Sequence, residues 1–333
     1  MNELMRELTE KFPNQLSEAL KIAAISKLTF GKGFRNVLIS GLGGSGIGAT
    51  IVSNWASDSI KIPLTVNKGY FLPAFAKKNT LVICSSYSGN TEETYKVLED
   101  AHSAGCKIVC ISSGGKMIDF CKKNNLDFIQ VPGGMPPRTC SGYSLVQLMH
   151  ILTFFKLIPT KLYKQVEKIP DFLTKEQDNL QKITNMLADK LQDKIPIIYA
   201  DEKFEGLAIR YRQQINENSK MLCWHHVIPE MNHNEMVGWR EKNQNLAVLF
   251  LKNKVDYPRN EQRAQINEET IKKYTSNIFT IQSKGRNIIE QSFYHLHLCD
   301  LLSIYLAEKR GYEAMDIDVI NHLKSTLEGL AWN

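Results

Sequence analysis

The chain has 333 residues, of which 43% are hydrophobic and 23% charged, enough apolar material for two domains of ordinary size and too much for a disordered chain. Basic residues number 41 and acidic residues 35, a formal charge of +6; the excess is scattered rather than gathered into a stripe, which argues against a nucleic-acid partner and suits a small anionic one. No run approaches the ~20 apolar residues needed to cross a bilayer, so no membrane partner is expected.

The start, MNELMRELTEKF, is polar and amphipathic and lacks the apolar core and cleavage site of a secretory signal. From residue 36 onward, short Val/Ile-rich runs alternate with helix-period segments. Strands are expected over 36–40, 62–66, 80–84, 107–112 and 126–131, with a helix over 92–104 among the intervening segments. Continuously apolar strands separated by helices call for a parallel sheet covered on both faces. Residues 1–155 are therefore read as a doubly wound α/β domain with five strands. An apolar helix over 144–156, a Lys-rich stretch with Pro159 and Pro170, and a second helical segment make 156–190 a connection. Alternation resumes at 195–200, followed by a helix over about 205–216, strands over 246–251 and 277–281, and helices over 288–309 and 317–330. Residues 191–333 are expected to repeat the architecture, again around a mainly parallel five-stranded sheet flanked by helices. The seven cysteines form no CxxC pair and several sit in apolar runs, so they read as reduced thiols of a cytoplasmic protein.

Two turns carry the chemistry. After the first strand, Gly41-Leu42-Gly43-Gly44-Ser45-Gly46 matches GxGxxG, which permits a dinucleotide reading. That reading needs an acidic residue roughly 20 positions on, whereas the second strand ends Val66-Asn67-Lys68. NAD is disfavoured, and an NADP-dependent oxidoreductase is kept as an alternative through Lys68. After the third strand comes Ser85-Ser86-Tyr87-Ser88-Gly89-Asn90-Thr91-Glu92-Glu93, where Asn90 and Glu93 have the spacing of a capping box. One such turn is ordinary helix capping. Two of them at the carboxyl ends of neighbouring parallel strands make an anion site of uncharged donors, where open α/β sheets bind ligands.

The run GLGGSGIG followed by SSYSGNTEET resembles the sugar isomerase (SIS) domain. With Pro136-Pro137-Arg138-Thr139, Asn216-Glu217-Asn218-Ser219-Lys220, Pro229-Glu230-Met231-Asn232-His233 and Val319-Ile320-Asn321-His322-Leu323-Lys324 in order, most of the chain resembles the bifunctional phosphoglucose/phosphomannose isomerases, which contain two SIS domains. The resemblance implies an aldose–ketose isomerase acting on a hexose 6-phosphate without cofactor or metal. It implies phosphate binding at Gly44, Ser45, Ser86, Ser88 and Thr91, enediolate stabilisation by Arg138, proton transfer by Glu217, and ring opening by His233 and Lys324. It also implies a homodimer in which the neighbouring subunit supplies His233.

Read without the family, each side chain has a plainer alternative. Glu217 at a helix end is a solvated carboxylate, Arg138 a surface arginine, and Lys324 an exposed helix lysine. His233 lies among His225, His226, Glu230 and Glu235, a mixture that invites a zinc reading, but Pro229 interrupts any helix and no HExxH spacing occurs. His225 and His226 are read as structural. A sugar-phosphate sensor without catalysis would keep the serine turns and need none of these four side chains. The resemblance breaks at one place: dual-specificity members carry a Thr before the last helix, where this chain reads Met315-Asp316-Ile317-Asp318-Val319. Ile317 thus leaves the use of mannose 6-phosphate open.

Overall fold

The computed structural model describes residues 2–328 and 330. After α1 (Glu3–Glu10) and α2 (Phe12–Ile25), the first half forms β1 (Asn36–Ser40), α3 (Gly43–Ala56), β2 (Leu64–Asn67), β3 (Thr80–Ser85), α4 (Glu92–Ser103), β4 (Lys107–Ser112), α5 (Gly115–Lys123), β5 (Asp127–Gln130) and α6 (Ser141–Phe154). The five strands are all parallel, in the order β2-β1-β3-β4-β5. Every residue of β3 is buried, which is why TLVICS shows no polar alternation. Alternate side chains divide between two layers. Val37, Ile39, Leu81 and Ile83 pack with α2, α3 and α6, while Leu38, Val82 and Cys84 pack with Val97 and Leu98 of α4 and Met117 of α5. The chain leaves β1 toward one edge for β2 and returns past it for β3. The turns after β1 and β3 therefore lie side by side at the carboxyl edge, the usual ligand position in such sheets.

The second half is built from β6 (Ile195–Asp201), β7 (Trp224–Ile228), β8 (Leu246–Lys252) and β9 (Ile278–Gln282), parallel and in the order β7-β6-β8-β9. This sheet has four strands among the described residues, not the five expected, because the chain leaves β9 directly into helix. The edge strand β7 escaped the periodicity reading: WHHVI carries two histidines and is only half-buried. The polar helix α10 (Pro258–Ile271) was also missed, since it buries only Asn260, Ala264, Asn267 and Ile271. It covers one face of the sheet beside Tyr199, Val248 and Phe250, while Ile198, Leu249 and Leu251 face the other way.

Between the sheets run α7 (Thr160–Val166) and α8 (Ile169–Leu191). They do not form an exposed tether: Leu173, Leu180 and Leu187 join one apolar core with residues of both halves. At the centre of that core lies α11 (Ile288–Lys309), buried without a break from Ile289 to Ala307 and packed against α8 and α9 (Glu205–Ser219). Leu, Ile, Phe and Tyr on every side of this helix suit such a place, and Asp300 and Ser303, polar side chains that it also buries, are there hydrogen-bonded. The last helix, α12 (Asp318–Glu328), exposes Val319, Leu323 and Leu327.

Two histidines of α11 carry a pH signature. His295, near Tyr211 and Tyr294, and His297, stacked on Phe12 with ring centroids 5.5 Å apart, are fully buried. Burial lowers both to about 4 from an ordinary 6.5. The unfolded chain takes up these protons near pH 6.5 and the folded chain only near 4, so stability is lost as the pH falls through that window. Each ring contributes up to roughly 3 kcal/mol. Denaturant midpoints should drop between about pH 7 and 4.5, and His297→Phe should remove part of that slope; an unchanged slope refutes the assignment.

Candidate active site

The first wall of the site is the pair of turns after β1 and β3. The glycine-rich turn bends so sharply into α3 that a Cβ at Gly46 would lie 2.4 Å from the Gly41 carbonyl oxygen; only glycine fits. The two turns are tied together, because the Tyr87 N–H donates to Ser45 Oγ at 3.1 Å. Within the second turn, Ser86 Oγ and Thr91 Oγ1 share a hydrogen bond of 2.8 Å, and the Gly89 N–H donates to Ser86 Oγ at 3.2 Å. Ser45, Ser86 and Thr91 thus come together at the starts of α3 and α4, beside Gly44, and Ser88 is exposed on the same turn, accepting from the Asn90 N–H at 3.3 Å. Neither turn contains Lys or Arg, so the attraction for an anion comes from hydroxyls, N–H groups and two helix N-termini. The expected capping box does not form. Thr91, not Asn90, precedes α4, and Asn90 Oδ1 instead accepts from the Lys116 N–H at 3.0 Å, capping the neighbouring helix α5.

The second wall comes from Arg138 and α9. Pro136 and Pro137 direct the chain into a 3-10 turn, Pro137–Thr139, that buries Arg138 to 4% exposure, so it is not a surface arginine. Its Nε donates to Asn218 Oδ1 at 2.6 Å, its Nη2 to the Ala314 carbonyl, and its Nη1 to Glu217 Oε1 at 3.0 Å. Burial pulls the guanidinium below the ordinary arginine value, and Glu217 opposes this. Glu217 keeps 32% of its side-chain surface exposed and, with Arg138, Gln213, Asn216, Gly43 and Gly44, lines an open cleft of about 340 Å³. The carboxylate and the glycine-rich turn thus share one cleft. The two walls are held in register where α3 crosses α9. A Cβ at Gly206 would lie 2.8 Å from Ile51 Cγ1, and the Gly206 N–H donates to Asn54 Oδ1 at 3.1 Å.

Sequence reading missed four residues around this pair. Asn218 was quoted only as part of a motif. Arg210 stands two helical turns before Glu217, and Asp300 is the one carboxylate between Glu290 and Glu308 in α11; a charge inside so apolar a helix is a signal that could have been followed. Lys220, in left-handed conformation at φ 54°, ends α9 and donates to the carbonyls of Glu217 at 2.6 Å and Asp316 at 2.7 Å. Burial, with Arg138 nearby, lowers its value.

His233 and Lys324 are not gathered into this cleft. His233 is exposed on the 3-10 turn Glu230–His233 beyond β7. Lys324 is exposed on α12, one helical turn after Ile320, which does line the cleft. Ile317, half-buried, lies three residues beyond Ala314, the carbonyl that receives Arg138. Among the described residues no three His, Cys, Asp or Glu side chains converge as metal ligands do, and no helix is long and apolar enough to cross a membrane.

Two parallel α/β halves enclosing a cleft, with uncharged anion donors on one wall and a carboxylate–guanidinium pair on the other, define a protein of the sugar isomerase domain class. The model of the bacterial phospho-glucose isomerase C-terminal SIS domain matches residues 181–327. The C-terminal domain of glucosamine-fructose-6-phosphate aminotransferase from Francisella tularensis shares the fold, with a TM-score of 0.75 over 93% of this chain and 97% of that one at 13% identity. The bifunctional phosphoglucose/phosphomannose isomerase of Caldicellulosiruptor bescii is 35% identical across 97% of this chain and 98% of its own length. That of Aquifex aeolicus is 31% identical across 89% and 91%. The chain belongs to the bifunctional phosphoglucose/phosphomannose isomerase family.

Proposed function

We propose that the chain interconverts glucose 6-phosphate and fructose 6-phosphate through a cis-enediol, with the phosphate held by Gly44, Ser45, Ser86, Ser88 and Thr91 and the proton carried by Glu217. The observation that carries this reading is the Glu217 carboxylate, partly exposed in the cleft that Gly43 and Gly44 also line and held 3.0 Å from Arg138 Nη1. In the open-chain aldose, Glu217 takes the proton from C2. The released electron pair forms the C1–C2 double bond, and the former carbonyl oxygen at C1 becomes anionic. Arg138 Nη1 is the guanidinium group that reaches the cleft to meet that charge. The C1 oxygen gains a proton, the C2 hydroxyl loses one, and Glu217 returns its proton to C1 to give the ketose.

Ring opening is assigned to His233 and Lys324. Lys324 shares a helix face with cleft-lining Ile320, and closure of α12 over the cleft would bring it in. His233 would come from the neighbouring subunit of a homodimer, a reading supported by its exposure and by the exposed apolar row on α12. The cytoplasm is the proposed location, in keeping with cysteines that are all unpaired. The relatives reported above are named as bifunctional, so mannose 6-phosphate is the second substrate to test; Ile317 predicts slower turnover with it than with glucose 6-phosphate.

Purified protein given fructose 6-phosphate should generate glucose 6-phosphate, read by coupling to a dehydrogenase and NADP, and should do so undiminished in EDTA. A chain that binds the sugar phosphate and never turns it over would be a sensor, and the proposal would be wrong.

A further inference from the structure

We propose that Asp300, Arg210 and Ser303 are positioning residues of this reaction, fixing Arg138 and, through it, the Glu217 carboxylate on the cleft wall; the inference rests on the isomerase reading above. Asp300 is 4% exposed and Arg210 1%. They meet in a two-pronged ion pair, Nε to Oδ1 at 2.9 Å and Nη2 to Oδ2 at 3.0 Å, and Gln214, one turn further along α9, adds a third N–H to Oδ1 at 2.9 Å. Burial opposes the charge on Arg210, but Asp300 raises its value above the ordinary one, so the guanidinium stays charged. A buried pair of this kind is a poor source of stability, since packed apolar side chains of the same volume do as well or better. What it supplies here is direction. The same Arg210 Nη2 donates to the carbonyl oxygen of Arg138 at 2.6 Å, fixing the backbone of the 3-10 turn.

A second line reaches the Arg138 side chain from the same turn of α11. Ser303 Oγ donates to the Asp300 carbonyl at 2.8 Å and accepts from Asn218 Nδ2 at 2.9 Å. Asn218 Oδ1 in turn accepts from Arg138 Nε at 2.6 Å. Backbone and guanidinium of Arg138 are thus both referred to one turn of the most deeply buried helix. The next residue, Ser219, donates to the Ser303 carbonyl at 2.7 Å, so the end of α9 that carries Glu217 is tied to the same place. The lines meet at the Nη1–Oε1 contact, and a shift of about 1 Å there costs on the order of 10²-fold in rate.

The test is steady-state kinetics of Asp300→Asn and of the milder Ser303→Ala, with fructose 6-phosphate, alongside the pH profile of kcat and thermal denaturation. Asp300→Asn should lower kcat by about 10- to 100-fold with KM within about threefold. The pH profile should shift as well, because the surroundings of the Glu217 carboxylate change. Ser303→Ala, which strands no buried charge, should fold and lower kcat by about threefold to tenfold. A residue that only stabilises the fold would lower the melting temperature and leave kcat and its pH profile alone. That result in Ser303→Ala overturns the inference even if Asp300→Asn does not fold, while wild-type turnover leaves the isomerase reading standing. A wild-type chain without isomerase turnover removes both together.

Discussion

Glu217→Gln should lower kcat with fructose 6-phosphate by on the order of 10³-fold or more while the protein still binds sugar phosphate. Glutamine keeps the length of the side chain and an oxygen to accept the Arg138 Nη1 bond now made at 3.0 Å, so the wall of the cleft keeps its shape. It cannot take a proton from carbon. Glu217 is one-third exposed, so the exchange opens no cavity, but it takes the counter-charge from the buried Arg138 guanidinium, and stability should fall by about 1–2 kcal/mol. Binding should persist because the phosphate is assigned to the turns around Ser45 and Ser86, which the substitution does not touch. Two measurements separate the steps. Exchange of solvent tritium into the sugar reports proton removal and should vanish with turnover, whereas protection of the protein from heat by fructose 6-phosphate reports binding and should remain. Turnover within tenfold of wild type would mean that another group is the base.

The sequence made the first half easy to read because its strands are central and buried on both faces. TLVICS and KIVCIS are apolar throughout and could be placed to within a residue. It made the edges hard. WHHVI pairs with β6 on one side only, needs no continuous apolar run, and was not recognised as a strand. The capping box at Asn90 shows a different limit: spacing along the chain cannot tell whether a side chain serves its own helix or the next one, and Asn90 serves α5. In the site, Ser45, Ser86 and Thr91 were legible because turns after parallel strands must converge. Glu217 and Arg138 were legible only through the family motifs, since the contact between them joins residues 79 positions apart and nothing local announces it. Asp300 left a fainter trace, a lone carboxylate in a largely apolar stretch of helix, whose meaning depends on what it faces, whereas Arg210 and Asn218 sit among the many polar residues of α9 and left none. His233 and Lys324 belong to exposed segments outside the cleft, and nothing local marks them for the ring opening proposed above.

Arg138→Lys is the second substitution with a large expected effect, and it is informative because it keeps the charge. The arginine makes three divergent bonds from one rigid plane, to Asn218, to the Ala314 carbonyl and to Glu217. An ammonium at the end of a flexible stem cannot reproduce that fork. Lysine would reach one or two of these acceptors and leave the rest buried and unpartnered, at about 1–3 kcal/mol for each group stranded. If the role of residue 138 were only to place positive charge in the cleft, lysine would restore most of the activity. If the role is to aim one N–H at the oxygen that becomes anionic while holding Glu217 in place, kcat should fall by on the order of 10²- to 10³-fold, the usual effect of removing one aimed donor. KM should change far less, since the phosphate turns are untouched. Both kcat and the melting temperature should therefore fall in Arg138→Lys, and the melting temperature should fall further than in Glu217→Gln, which keeps an acceptor for each of these hydrogen bonds. A lysine variant with more than about a tenth of wild-type kcat would show that charge rather than geometry is what the cleft requires at this position.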